Sequence, residues 1–464
     1  MSHARAPGTI VELAPELLEL ILSYLGPHHI TTFGATCRRA HDFIRPTNQM
    51  LWKQTFLQLF DHPKHVWEAQ VPTARAQNQP REALWDWHRE LVRRTKAFNL
   101  VLECDREVLA LEIDNVIGTL LDIVQTSSCP CPTENASPVS LNIMYLNRLV
   151  QRAPDFESIV HDFSRHPSSL AVPRDLKMVL DRPVTRSMLR RGPVAPEWAS
   201  RFHIIYGPTE RERESIASKA AARAIVYDWG VTSEAADHGP FRKDGSGAVD
   251  WQSVEAISSL MHRIFDTALK AYHLHPTGFD IHVPHRQPIN PAAPDDWAGV
   301  TGTWSGTYAF LDYRALIHHN FAHSLEHPLD LGNYEEACGD MMRFDLEVDD
   351  SEELRNDERL QSDLPYCDDL PKLYFEGTST RQASERPSIG VRGVACLAPS
   401  GREVRWRLII RYAGADQWQL EGVQPSGVRS GGIYGLWSHV DHDDHGPMGP
   451  FYYTPCGITE FSFD

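Results

Sequence analysis

Three clusters in this 464-residue sequence carry residue types that do chemistry. His439, Asp441, His442, Asp443, Asp444 and His445 crowd together just after Trp437. Two imidazoles and a carboxylate could hold a transition metal, but the Gly446-Pro447 that comes next suits a solvated loop, and no metal is expected. Cys129 and Cys131, in Cys-Pro-Cys-Pro with Cys104 upstream, have no second ligand pair at matching spacing, so free thiols on a Pro/Ser loop are expected. Arg405, Arg407 and Arg411 alternate with Trp406 and Ile410. On a strand this puts the guanidiniums on one face, as a charged solvent surface or as the lining of a pocket for a carboxylate or phosphate.

Other catalytic signatures are missing. There is no Gly-x-Ser-x-Gly nucleophile turn and no Gly-rich phosphate loop ending in Lys, and Gly245-Ser246-Gly247 reads as a turn. The chain is therefore expected to be no enzyme and to need no cofactor. Its net charge of -17 argues against general affinity for nucleic acid or an anionic membrane. No apolar run reaches the ~18 residues of a membrane span. The run from Leu17 to Leu25 is short and interrupted by Glu19, and the first residues lack a signal-peptide core. A cytoplasmic or nuclear location is expected, with the eight cysteines reduced.

The elements that position these residues fall into an α+β, multidomain order: a helical segment over 9–58, a mostly helical middle over 83–274, and an antiparallel β domain over 297–464. In the first, Leu13, Leu17, Ile21 and Leu25 recur at helical spacing, and Leu18 and Leu22 widen the stripe. Pro15 suits a first helical turn, Gly26-Pro27 ends the helix, and Thr36 is a candidate cap for a third helix from Cys37 to Ile44. Residues 62–82 read as a linker. Helices are predicted over 84–98, 105–125, 142–150, 210–229 and 251–272. The Pro- and Arg-rich stretch 165–201, with Arg182, Arg186, Arg190 and Arg191, reads as surface-bound or mobile, and the Pro- and His-rich 275–296 as a boundary.

Beyond it, period-two alternation dominates. Trp304, Gly306, Tyr308 and Phe310 share a face, as do Met342, Phe344, Leu346 and Val348, and Val404, Trp406, Leu408, Ile410 and Tyr412. Shorter runs at Leu373 and Phe375, Ile389 and Val391, and Trp418 and Leu420 add strands, which indicates a sandwich or barrel. The stretch 345–369 holds eleven acidic residues against two arginines, and is expected to stay solvated or disordered.

The N-terminal pattern resembles the F-box family. The similarity runs through Leu13-Ala14-Pro15-Glu16-Leu17-Leu18, Ile21-Leu22-Ser23-Tyr24-Leu25, Phe33, Cys37-Arg38 and Leu51-Trp52. It departs at Ala14, where the family has its first proline, although Pro15 comes next. The resemblance implies a three-helix module that docks a Skp-type adaptor through Leu13, Pro15, Leu17, Leu18, Ile21, Leu25, Phe33, Cys37 and Trp52. The adaptor joins the chain to a cullin–RING ubiquitin ligase core. The stretch 86–94 is similar to a linker helix that follows the F-box in a group of fungal F-box proteins.

A second, less specific similarity joins Gly302-Thr303-Trp304-Ser305-Gly306-Thr307-Tyr308, Gly422-Val423-Gln424 and the stretch 431–437 to the lipocalin-like β-domain of some F-box-only proteins. It implies that a β-barrel captures a protein substrate, with Trp304, Tyr308, Arg405, Arg407, Arg411, Tyr434 and Trp437 as candidate contacts. No ubiquitin-transferring cysteine is recognisable. Two competing readings stay open: a barrel that binds a small apolar or signalling ligand, and an F-box scaffold working outside ubiquitination.

Overall fold

Alternating apolar residues make sheets with one face that must be covered, and here the sheet covers itself by closing. The computed structural model describes residues 10–69, 85–128, 140–153, 155–165, 196–231, 233–268, 278–321, 336–379 and 389–456. Its strands are β1 (Gly302–Leu311), β2 (Glu336–Cys338), β3 (Met342–Val348), β4 (Leu373–Ser379), β5 (Ile389–Leu397), β6 (Val404–Tyr412), β7 (Ala415–Gln424), β8 (Ile433–His439) and β9 (Met448–Pro455). Every pairing is antiparallel. β1 pairs with β3 on one edge and β9 on the other, so β1 and β3 to β9 close an eight-stranded barrel, with β2 a short addition beside β1. Gly306 lets β1 and β9 approach, because a Cβ there would lie 2.1 Å from the Tyr452 carbonyl oxygen.

The inward set is the one the alternation picks out. Trp304, Phe344, Phe375, Val404, Trp406, Leu408, Leu420 and Phe451 fill the barrel, with the Trp304 and Trp406 rings 5.0 Å apart. The interior is packed with side chains, as in other small barrels.

Outside the barrel, two layers cover the wall. Helix α13 (Trp251–Ala268) lays Val254, Ile257, Met261 and Phe265 into a core shared with Leu436, Tyr434 and Tyr452 of β8 and β9. The acidic stretch forms the second layer. It is ordered, against the expected disorder, although most of its side chains stay at least partly exposed to solvent. It begins as β3 and continues through a helical turn at Glu352–Arg355 and another at Glu358–Leu360. Leu354 and Leu360 pack on Tyr374, Val394 and Ile409 of the outer wall. Its carboxylates have cations to face: Asp357 pairs at 2.5 Å with Arg392 of β5, which also holds Asp416 of β7 at 2.7 Å. Composition suggested disorder, but buried leucines and nearby arginines outweigh charge repulsion.

The N-terminal half is helical. It comprises α1 (Pro15–Ser23), α2 (Pro27–Gly34), α3 (Arg38–Phe43), α4 (Gln49–Leu57), α5 (Pro63–Ala69), α6 (Trp87–Glu103), α7 (Arg106–Gln125), α8 (Leu141–Arg152), α9 (Phe156–Arg165), α10 (Glu197–Tyr206), α11 (Glu210–Glu214) and α12 (Ile216–Val226) before α13. The first segment has four helices where three are expected, since Leu51-Trp52 lies in α4. The cap of α3 is Cys37, whose sulfur accepts from the Ala40 N–H, and Thr36 instead bonds back to Phe33. Asp86 and Asp105 cap α6 and α7, with Cys104 left-handed between them.

Part of the expected linker is α5, and the end of the Pro/Arg-rich stretch begins α10. Ser215 splits the predicted 210–229 helix by capping a new start. A helix at Tyr313–Phe321 was not expected from the spacing. Arg182, Arg186, Arg190, Arg191, Cys129, Cys131 and residues 269–277 lie outside the described residues. The first helices and the middle share one core, running from Leu18 through Trp52, Leu91 and Leu120 to Val283.

One buried ionic knot ties α10, α11 and α13 together. His203 Nε2 lies 2.6 Å from Glu212, and Nδ1 lies 2.6 Å from Glu255. Glu212 also accepts from the Thr209 N–H in a capping box. Burial alone would lower the imidazole, but Glu212 and then Glu255 raise it to about 10. A raised folded pKa means stabilisation that is full below the ordinary value near 6.5 and is lost as pH rises toward 10. His203→Gln should cost about 3–5 kcal/mol at neutral pH by stranding the carboxylates. It should also flatten the alkaline decline of stability. Urea unfolding from pH 6 to 10 checks both.

Candidate functional site

Helix α1 is apolar over more than half of its circumference at 3.6 residues per turn, and the fold needs only part of that. Leu18 and Leu22 point inward, against Ile30, Leu51, Trp52 and Phe56. The stripe of Leu13, Leu17, Ile21 and Leu25 points outward. Leu17 is 54% exposed and Ile21 43%, and Ile10, Leu20 and Tyr24 extend the same surface, Tyr24 at 71%. Pro15 is exposed at the first helical position.

A cluster of large apolar side chains in water is costly, which makes this face a candidate interaction surface. The spacing rule pointed to Leu13, Leu17, Ile21 and Leu25, and these are together in space. Cys37 is exposed at the α3 cap and Phe33 is half-buried against the core. Leu18 and Trp52 are placed differently. They are 2% and 3% exposed, and the Trp52 indole donates to the Arg45 carbonyl at 3.1 Å. Their role is to hold α1 and α4 together behind the surface. Ile10, Leu20 and Tyr24 were not singled out, although their apolar character and spacing carried the signal.

The second set of candidate residues lies on the barrel. Trp304 and Trp437 point into the filled interior, where the Trp437 indole donates to the Ala309 carbonyl. Tyr308 is half-buried beside Trp437. Tyr434 lies on the outer wall beneath α13. Arg405 and Arg407 face outward as the alternation requires, yet each is about 5% exposed.

Their carboxylate partners come from the chain itself. Arg405 donates to Glu421 at 3.1 Å and also to Asp237, and Arg407 donates to Asp237 at 2.5 Å and also to Glu421. Asp237 sits in a left-handed turn of the helical half, and Gly239 lets that turn press on β7, since a Cβ there would meet the Glu421 side chain at 2.7 Å. Burial would raise the Asp237 carboxyl, but Arg407 and then Arg405 hold it below the usual range. Burial pushes Glu421 up against the pull of the same arginines. Arg411 stands apart, exposed and paired with Asp416 at 3.0 Å.

The His/Asp stretch disperses. His442 stacks on His238 at 3.4 Å, His445 packs on Trp229 and Phe321, and Asp443 and Asp444 face solvent. Among the described residues no three His, Cys, Asp or Glu side chains converge to hold a metal. Nor, among those residues, is any helix long and apolar enough to cross a membrane.

Compared with protein-family models, curated proteins and solved structures, the chain finds no match. Its function is therefore read from its own surfaces, and among the described residues Ile10, Leu13, Leu17, Leu20, Ile21, Tyr24 and Leu25 are exposed large apolar side chains on or beside α1.

The two faces of α1 should separate by substitution. The pair Leu17→Asp and Ile21→Asp should shift stability by no more than about 0.5 kcal/mol each, whereas Leu18→Ala should cost about 2–5 kcal/mol. Denaturant melts compare them directly. Asp237→Ala should cost about 3–5 kcal/mol, because Arg405 and Arg407 would share Glu421 alone. Thermal scanning of that variant tests the ion cluster.

Proposed function

We propose that this chain is the substrate-recognition subunit of a Skp–cullin–F-box ubiquitin ligase, with α1 as its adaptor-docking surface. The observation that carries the reading is the outward stripe of Leu13, Leu17, Ile21 and Leu25. These are positions of the F-box resemblance, and the described fold leaves each of them exposed. Each such side chain moved from water into an interface is worth roughly 1.5–3 kcal/mol before the costs of association. A helix laid along a groove of apolar side chains is the usual way to cover such a stripe.

In this reading the rest of the helical half is a rigid spacer. α1 to α4 share one core with α6 to α8, so the docking face keeps a fixed orientation to the middle helices. The barrel, similar to the lipocalin-like domain of some F-box-only proteins, presents the target. The chain supplies no reacting group. It raises the target's local concentration near a conjugating enzyme bound to the ligase core, and proximity performs the catalysis. A ligand held inside the barrel is disfavoured, because Trp304, Phe344, Phe375, Trp406 and Phe451 occupy that space.

Co-purification of the intact chain with a Skp-type adaptor tests the proposal. The wild-type chain should retain adaptor and cullin. The Leu17→Asp, Ile21→Asp double variant should lose at least about tenfold in adaptor affinity, equal to ~1.4 kcal/mol, with an unchanged melting curve. A wild-type chain that retains no adaptor sinks the reading.

A further inference from the structure

Where the helical half meets the barrel there is a cleft of about 920 Å³. That is near the upper end of the ~300–1,000 Å³ typical of ligand sites. One wall is α6 with Arg89 and Arg93, a second is α10 with Arg201, and a third is the β5–β6 turn with Ser400 and Arg402. Trp85 and Trp67 supply aromatic surface, and His282 lies at its side. The chain as a whole carries -17, so a cleft walled with guanidiniums stands out.

The acids in the cleft are already engaged. Glu90 and Asp122 both pair with Arg93, at 2.8 and 2.7 Å. Glu197 pairs with Arg242 at 3.2 Å. Glu403 accepts from the Ser400 hydroxyl and lies 3.7 Å from Arg201, which stacks over the Trp251 ring. Arg89 and Arg402 are exposed, and neither has a carboxylate within ion-pair distance among the described residues; Arg402 makes only a 3.5 Å contact to Gln125.

Buried donors in the same walls also lack partners. The Trp85 indole N–H is buried with nothing to receive it. His282 is 1% exposed, its Nδ1 is 2.6 Å from the Ser426 hydroxyl, and its Nε2 has no partner. Burial and then His262 pull this imidazole down to about 3, so it is neutral at physiological pH. When Ser426 donates to Nδ1, the proton sits on Nε2 as an unused donor. Unpaired buried donors are rare in folded proteins and point to a missing acceptor.

We propose that this cleft is a binding site for a carboxylate-bearing ligand with an aromatic or apolar body. Arg89 and Arg402 take the carboxylate, the half-buried indoles of Trp85 and Trp67 take the body, and the Trp85 indole N–H and His282 Nε2 supply further donors. The ligand is either an acidic, aromatic segment of a protein or a small organic acid. The site stands whether or not the chain docks an adaptor.

Calorimetric titration of the full chain decides it, using two probes. One is 3-phenylpropionate, and the other is an acetylated, amidated tetrapeptide alternating phenylalanine and aspartate. Their controls are phenylpropionamide and the same peptide with asparagine. At least one acid should bind saturably, with its amide control about tenfold weaker or more. Arg89→Glu and Arg402→Glu, both at exposed positions, should each weaken that acid by a similar factor. Preference for the peptide identifies a protein segment as the source, and preference for phenylpropionate a small acid. The proposal is overturned if neither acid binds, if acid and amide bind alike, or if both charge reversals leave affinity unchanged. Should a reversal disturb folding, the acid-against-amide comparison on the wild-type chain still decides between binding and no binding of the carboxylate.

Discussion

Two guanidiniums on the outer wall of a barrel cannot be buried without carboxylates, and this requirement organises how the two halves of the molecule meet. Arg405 and Arg407 stand on β6 with Glu421 beside them on β7. One carboxylate cannot neutralise two buried cations. The second, Asp237, is delivered from the helical half by a turn whose left-handed backbone and Gly239 allow close contact. The acidic stretch then closes over the cluster, with the carbonyls of Arg359 and Gln361 accepting from Arg407 and Ser362 donating to Asp237. A charged surface that could have received an outside ligand is thereby an internal joint. Buried ion pairs give little net stability, but breaking one is expensive, so such a joint fixes geometry.

That joint and the apolar seam of α13 on β8 and β9 together hold the helical half against the barrel at separated places. Between such fixed points a cleft can persist without collapsing, which is why the guanidiniums of α6, α10 and the β5–β6 turn can face each other across open space, with Trp85 and Trp67 beside them. The barrel itself is too well filled to receive anything. Recognition by this fold is therefore expected at the seams between its parts and at the uncovered face of α1, not in the barrel's centre.

Two of the buried histidines illustrate the same economy of charge. His203, clasped by two glutamates, is held as an imidazolium at neutral pH. His282, with a hydroxyl and no carboxylate, is neutral. The residue type is the same, and the partners decide the charge. Glu212 is nine residues from His203, but Glu255 is 52 away and Ser426 is 144 from His282, so the local sequence shows only part of what distinguishes them.

Local pattern determined much of this protein. Period-two alternation named the inward residues of β1, β3 and β6, and helical spacing found α1, α6, α7 and α13, because both signals come from neighbours a few residues apart. Tertiary structure decided the rest. Whether the strands formed a sandwich or a barrel depended on β1 meeting β9. Which side of α1 faced water depended on α4, because a helix apolar over so wide an arc has no inward face until a partner chooses one. The acidic stretch read as disordered because composition sums its charges and cannot see Arg392 and the leucine-lined wall opposite. Arg405 and Arg407 of β6 read as a pocket or a solvent face, since one of their partners, Asp237, is remote in sequence. Electrostatics and packing act through space, and in each of these cases the deciding contact lay beyond the reach of local spacing.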